Sequence, residues 1–389
     1  MTDVPAPIAE LASRYDATIF ATQRDKARVR LEGAGRDVDA LLEGDTLQVV
    51  PADPDRRPDA VLRADAATWR SIAEDLRGGM AAFRSGRLRI RRDLHLGVGL
   101  LAATSGSRGP DGLRFRHVET RMGTISAMEA GRGAPVVLLH GLGATKASFL
   151  PTVAALAPDH RVIAIDLLGF GDSDKPIAAG YDPRFFARSV EALLDALELE
   201  RVHLVGNSMG GRVALEVGLR TPERIDRIAL LAPSLAWLRD RRWAPLLRLV
   251  RPELGLLQPA PRWLVESIVG RFLPDAAEGW TAAGIDEFLR SYLTARGRAA
   301  FYASARNIYL EEPHGPDGLW TRLGSLRPPA LFIWGRGDRI VPFGFAAHVR
   351  RTLPQAEHLE LDCGHVPQLE RPKAAHDALR GFLARIPVA

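Results

Sequence analysis

A single cysteine, Cys363, stands in 389 residues. That excludes an intrachain disulfide and fits a reducing compartment, so the cytoplasm is the expected location. No apolar run approaches the length of a membrane span. Residues 1–10 hold proline and acidic residues and lack the basic region and apolar core of a secretory signal. Lysine is scarce beside arginine, which supplies almost all of the net charge of +5. The arginines are dispersed and no nucleic-acid motif accompanies them, so nucleic acid is not expected as a partner. What remains is an ordinary globular composition, 46% hydrophobic and 25% charged, in a chain whose length suits two domains.

The stretch that organises the chain is Gly206-Asn207-Ser208-Met209-Gly210. It joins an apolar strand, Val202 to Val205, to a helix running from Gly211 to Arg220. Strand, tight turn and helix form the context in which Gly-x-Ser-x-Gly becomes a nucleophile elbow. Gly206 and Gly210 let backbone close in at a strained turn. Met209 opens the helix with its N–H free, and such an N–H can bind an oxyanion.

A serine needs a base, and the base needs an orienting carboxylate. Asp338 directly follows the apolar run Ala330 to Trp334. His365 follows the last strand, His358 to Leu361. The strand that ends at Leu231-Ala232-Pro233-Ser234 offers no competing carboxylate. Upstream, Pro135 to Leu139 reads as a strand buried on both faces and runs into His140-Gly141-Leu142-Gly143. The N–H of Leu142 is the candidate second oxyanion donor beside Met209. Asp166 and Asp172 read as loop braces. Cys363 has no separate histidine arranged for it and does not read as a nucleophile. Strands alternate with helices from Leu113 onward, which predicts a mostly parallel, doubly wound sheet. Between about 237 and 314 the alternation breaks into helices, as expected of a cap. There Trp243, Leu246, Leu247 and Val250 share one face, ringed by arginines. This fits a cap helix packed on the core with its arginines in water, the preferred reading, or peripheral contact with a membrane surface.

Residues 1–108 read differently, as a small α+β domain. Helices are expected at Ile8–Phe20, Ala66–Arg77 (capped by Asp65) and Leu94–Ala103. Strands are expected at Ala27–Leu31, Thr46–Val50, Ala60–Arg63 and Arg87–Arg91. The lone His95 reads as an ordinary surface or core histidine. Residues 104–110, rich in Gly and Ser, form the linker. Residues 59–103, most sharply Gly79 to Ile90, resemble the second half of a sterol-carrier-protein-like lipid-binding domain. The resemblance implies a curved sheet, helices on one side and a cavity for an acyl chain or sterol. The residues alone fit a docking or dimerisation module as well, and no oligomeric state follows from them.

From Leu113 to Ala389 the chain resembles the α/β-hydrolase superfamily. The matching residues are His140-Gly141-Leu142-Gly143, Asp166 to Ser173, Gly206 to Gly211, Gly335-Arg336-Gly337-Asp338 and Gly364-His365. The resemblance implies a Ser208–His365–Asp338 triad with an oxyanion hole at Leu142 and Met209, working without a metal or organic cofactor. Serine at 208 separates the chain from branches that use aspartate there. The Asn-Ser-Met-Gly-Gly elbow is frequent among carbon–carbon bond hydrolases of aromatic ring-cleavage products. Those usually carry an aromatic residue after the histidine, where this chain has Val366. The expectation is therefore a serine hydrolase of carboxylic esters or thioesters with a hydrophobic, lipid-like acyl part. Carbon–carbon cleavage, acyl transfer and a lipid-binding protein with an idle hydrolase domain are the alternatives.

Overall fold

A computed structural model describes residues 4–236 and 278–385, apart from 21, 23, 75–81, 84, 106–111 and 178, together with 263, 266 and 267. The arginine-ringed stretch around Trp243 to Val250, the linker beyond Ser105 and most of Gly79 to Ser85 lie outside the described residues. The chain divides into two compact units. The first comprises Met1–Arg116, Met128–Gly131 and Ala276–Arg290, and the second His117–Ala127, Arg132–Asp275 and Ser291–Ala389.

The first unit holds a five-stranded sheet of β1 (Lys26–Glu32), β2 (Val38–Glu43), β3 (Thr46–Pro51), β4 (Ala60–Arg63) and β5 (Arg89–Arg91), in the order β3-β2-β1-β4-β5. Only β1 and β4 pair in parallel. Among the described residues of the N-terminal part it is accompanied by α1 (Ala6–Ser13), α2 (Ala66–Glu74) and α3 (Leu94–Ala103). Asp65 accepts from the Thr68 N–H at the start of α2, as a cap should, and Asp93 caps α3. The first helix is shorter than expected: it stops at Ser13, and Asp16 then turns the chain by accepting from Thr18. Strand β2 has no counterpart in the sequence reading, because Asp39 interrupts its apolar run. In the structure Asp39 is fully buried, accepting from Arg28 and Arg30 of the neighbouring strand. Burial by itself would raise its carboxyl, but the bonds from Arg30 and Arg28 outweigh that and hold it below the usual range.

Helix α7 (Glu278–Tyr292) lies in the stretch read as cap, yet through Arg290 it is counted with the first unit. Trp280 meets Phe83 edge to face at 4.8 Å between ring centroids. Asp286, buried, accepts from Arg91 at 2.7 Å and from the Arg92 N–H at 2.8 Å.

The second unit is built on an eight-stranded sheet, in the order β13-β12-β11-β10-β8-β9-β7-β6. Its strands are β6 (Arg114–Thr120), β7 (Gly123–Ala130), β8 (Ala134–Leu139), β9 (His160–Ile165), β10 (Val202–Asn207), β11 (Ile225–Leu231), β12 (Ala330–Gly335) and β13 (Glu357–Leu361). The run from β13 to β9 is parallel throughout. Strands β10 to β12 are buried along their whole length, which is why they read as unbroken apolar runs. Among the described residues the strands are connected by α4 (Leu150–Leu156), α5 (Pro183–Ala196), α6 (Met209–Arg220), α8 (Ala295–Tyr309), α9 (Leu319–Leu323) and α10 (Phe345–Thr352), and α11 (Pro367–Glu370) and α12 (Pro372–Leu383) follow the last strand. Among the described residues, no helix is long and apolar enough to cross a membrane.

His160, opening β9, and His203, near the start of β10, face each other edge to face with ring centroids 6.1 Å apart. Both are buried, and the Nδ1 of each makes no hydrogen bond. Burial pushes His203 down to about 4 and lowers His160 in the same direction. A folded pKa below the unfolded one means that the unfolded chain binds the extra proton first. Stability is therefore full above about pH 6.5 and falls as the pH drops toward 4, by about 2–3 kcal/mol for His203 alone. Urea unfolding between pH 7 and 4.5 measures this, and His203→Leu is expected to flatten the slope.

Candidate active site

The turn after β10 carries Ser208 at φ 53° and ψ −116°, a positive φ that side-chain-bearing residues rarely adopt. The flanking glycines make it possible. A Cβ on Gly206 would sit 2.3 Å from the Gly210 carbonyl oxygen, and one on Gly210 would sit 2.0 Å from that of Leu139. The elbow is thus pressed against the end of β8, where the loop His140–Gly143 begins. Gly141 lies close enough that a Cβ there would be 3.2 Å from the Ser208 Cβ.

The two candidate backbone donors are the N–H groups of Leu142, the residue after Gly141, and of Met209, the residue after Ser208. Among the described residues, neither the Leu142 N–H nor the Met209 N–H finds an acceptor within the protein. Their loop is braced from beneath by buried His140. Its Nδ1–H donates to the Gly141 carbonyl at 2.8 Å, and its Nε2 accepts from the Leu167 N–H at 3.0 Å, which fixes the tautomer. Burial lowers the His140 pKa and keeps the ring neutral. Lys146, also buried, donates from Nζ to Asp166 at 2.6 Å and to Asp172 at 3.2 Å, while its N–H donates to the other Asp166 oxygen at 2.7 Å. Asp166 and Asp172 therefore act as loop braces, with Lys146 as the cation between them.

Asp338 and His365 meet across the ends of β12 and β13. Nδ1 of His365 lies 2.8 Å from Oδ2 of Asp338, and the other Asp338 oxygen accepts from the Ile340 and Val341 N–H groups. With Nδ1–H on the carboxylate, the lone pair of the ring is at Nε2. The two loops fit backbone to backbone: a Cβ on Gly335 would lie 1.9 Å from the Gly364 carbonyl oxygen. The elbow reaches this assembly through Asn207, whose Nδ2 donates to the Leu231 and His365 carbonyls at 2.9 and 3.2 Å. Ser208, Asp338 and His365 are each at most 9% exposed. Ser208 Oγ makes no hydrogen bond to His365 here, a gap that substrate binding commonly closes.

Sequence reasoning overlooked the groups that hold the histidine loop. Asn207 counted only as a variable position of the elbow. Glu370 accepts from the N–H groups of Gly364 and Val366, and in the sequence it looks like any polar residue beside Gln368 and Arg371. Buried Cys363 has its thiol pushed up to about 12, by burial first and then by Glu370, which leaves it unreactive. Among the described residues no group of histidine, cysteine and acid side chains could hold a metal ion.

Comparison with known proteins agrees with this architecture. The family model described as alpha/beta hydrolase fold matches residues 134–372, and the SCP-2 sterol transfer family matches residues 13–102. A 2-hydroxy-6-oxononadienedioate/2-hydroxy-6-oxononatrienedioate hydrolase of Paraburkholderia xenovorans (strain LB400) is 31% identical over 66% of this chain and 89% of its own. The dihydrolipoyllysine-residue acetyltransferase component of an acetoin cleaving system from Pseudomonas putida is also 31% identical, over 65% of this chain and 64% of its own. Among solved structures, a membrane phospholipase A superposes with a TM-score of 0.57 at 28% identity, covering 71% of this chain and 87% of that one. With its parallel sheet, its elbow and the match to more than half of its length, the chain belongs to the α/β-hydrolase family and carries an SCP-2 sterol transfer family domain ahead of the hydrolase fold.

Proposed function

We propose that the protein is a serine hydrolase of carboxylic esters or thioesters with a hydrophobic acyl part. The observation that carries this reading is the strained Ser208 with the two candidate N–H donors, in one assembly with a histidine whose Nδ1 is held by Asp338. In this reading Ser208 attacks the carbonyl while His365 Nε2 takes its proton. Asp338 keeps the tautomer and stabilises the imidazolium. The N–H groups of Leu142 and Met209 receive the oxyanion, each worth about 3 kcal/mol in the transition state. His365 then protonates the leaving alcohol or thiol, and water attacks the acyl-serine through the same ring. No metal or organic cofactor takes part. The single buried thiol favours a cytoplasmic setting.

The choice of an apolar acyl group draws on charge. Lys146 is committed to Asp166 and Asp172, and Arg212 of α6 to Glu216 and Glu311. Among the described residues these two cations are neutralised by their own acids and are unsuited to binding a dicarboxylate. Val366 after the histidine points the same way. A second reading, carbon–carbon bond hydrolysis, is favoured by the identity to the dienedioate hydrolases. The SCP-2-like unit is the natural holder of a lipid. Its apolar interior, between Ile8, Leu31, Val49, Trp69 and Leu101, encloses a cavity of about 10 Å³, room for about one water. An acyl chain needs on the order of hundreds of Å³, so loading requires α1 and the sheet to part.

Hydrolysis of nitrophenyl esters of increasing acyl length, set beside a dienoate ring-cleavage product, tests the reading. The expected result is ester turnover with an optimum at medium or long chains. Turnover of the dienoate alone would replace the ester reading with the second one.

A further inference from the structure

The hydrogen bonds of Glu370 are unlike those of any other acid near the elbow. Glu370 ends the short helix α11, is 6% exposed, and pairs with no cation among the described residues. A buried carboxylate without a counter-ion is unfavourable, by several kcal/mol before compensation. Compensation comes from two backbone donors. The Gly364 N–H donates a hydrogen bond to Oε2 at 2.7 Å and the Val366 N–H one to Oε1 at 2.8 Å. These are the residues immediately before and after His365. The approach is close: a Cβ on Gly364 would lie 2.9 Å from Oε2, so any larger residue there would push the carboxylate aside. On the other side, the His365 carbonyl accepts from Asn207 Nδ2 at 3.2 Å. The backbone of His365 is gripped in front, behind and at its own carbonyl, while its ring is gripped at Nδ1.

We propose that Glu370 is a positioning residue for His365: its two oxygens fix the loop so that the imidazole keeps Nδ1 on Asp338 and presents Nε2 toward Ser208. The proposal rests on the serine-hydrolase reading above. It follows from how carboxylates differ from amides. A carboxylate offers two acceptors to two facing N–H groups. A glutamine in the same place offers one acceptor and sets an NH₂ against the second N–H, so one of the bonds is lost and the loop swings. The ester itself is bound by other groups and should not sense the change. Small displacements of a proton-transfer group are costly, up to about 100-fold for about 1 Å.

The test is Glu370→Gln in the full chain, with nitrophenyl ester turnover and the rate of phosphonylation of Ser208 by a fluorophosphonate as readouts. The expected result is a fall of about 10- to 100-fold in kcat and in phosphonylation rate, with KM within about twofold of the parent. A folded Glu370→Gln protein with unchanged kcat, or with KM rising while kcat holds, would overturn the proposal. If Glu370→Gln does not fold, Asn207→Ala loosens the same loop from its carbonyl side. It should lower kcat at constant KM, and a folded Asn207→Ala with full kcat would sink the idea equally. Ser208→Ala run in parallel separates the two levels. Turnover surviving in Ser208→Ala removes the hydrolase reading and this proposal with it. Turnover lost there but intact in Glu370→Gln removes the positioning role alone.

Discussion

Ser208→Ala is expected to lower kcat on the best ester by about 10⁶-fold, leaving KM little changed. The reason lies in how many features converge on one oxygen. The elbow holds Ser208 at φ 53°, a conformation retained only because glycines on both sides allow Gly210 and Leu139 to close on it. The N–H groups of Leu142 and Met209 have no other acceptor, and the His365 ring has its Nδ1 already engaged. In the proposed mechanism, removing Oγ takes away the nucleophile that these groups would serve. A residual rate of about 10³-fold over water can persist, from the oxyanion donors and binding alone. Because alanine takes the place of a hydroxyl that forms no hydrogen bond to His365 in the resting protein, the variant should fold normally. Steady-state kinetics beside thermal unfolding of the same sample checks both statements.

The second large effect concerns stability. Lys146→Met is expected to cost about 3–5 kcal/mol, because it leaves a buried carboxylate without its cation. Asp166 is fully buried and Lys146 nearly so, with Nζ 2.6 Å from Oδ2. Burial alone would raise the Asp166 carboxyl. Lys146 overcomes that and holds it below its ordinary value. The methionine keeps the volume and removes the charge, so Asp166 must keep its anion without a cation, with the Lys146 and Asp172 N–H groups as donors, or take up a proton. Urea unfolding at pH 7 would show the loss as a lower midpoint with an unchanged slope. Activity should fall too, since the Lys146 N–H and Asp166 help to anchor the loop that carries Leu142.

What was legible in the sequence had a physical signature of short range. Strands β8, β10, β11 and β12 are buried on both faces and appear as apolar runs, and Gly-x-Ser-x-Gly marks its own turn. Asp338 could be placed because it closely follows one such strand, β12, and His365 because it follows the last strand, β13, although that one is only half-buried. Long-range pairing left no such mark. Strand β2 was invisible because Asp39 breaks its pattern, and the arginines that neutralise it come from β1, nine and eleven residues away. Glu370 serves backbone atoms, which have no sequence identity to match. Helix α7 was readable as a helix, but its membership of the first unit depends on Trp280 meeting Phe83 and on Asp286 meeting Arg91, contacts that span about two hundred residues.

That membership bears on how the protein is made. The first unit is complete only when Ala276–Arg290 is present. On the ribosome, at about 5–20 residues per second, those residues emerge roughly ten to thirty seconds after Arg116. Until then Phe83 lacks its aromatic neighbour, and Arg91 and Arg92 lack the carboxylate that binds them. The N-terminal unit, first to be synthesised, is therefore not first to be finished. Its last wall arrives with the helices that follow the serine elbow, and a nascent chain stalled before residue 276 would present an unfinished apolar face to chaperones.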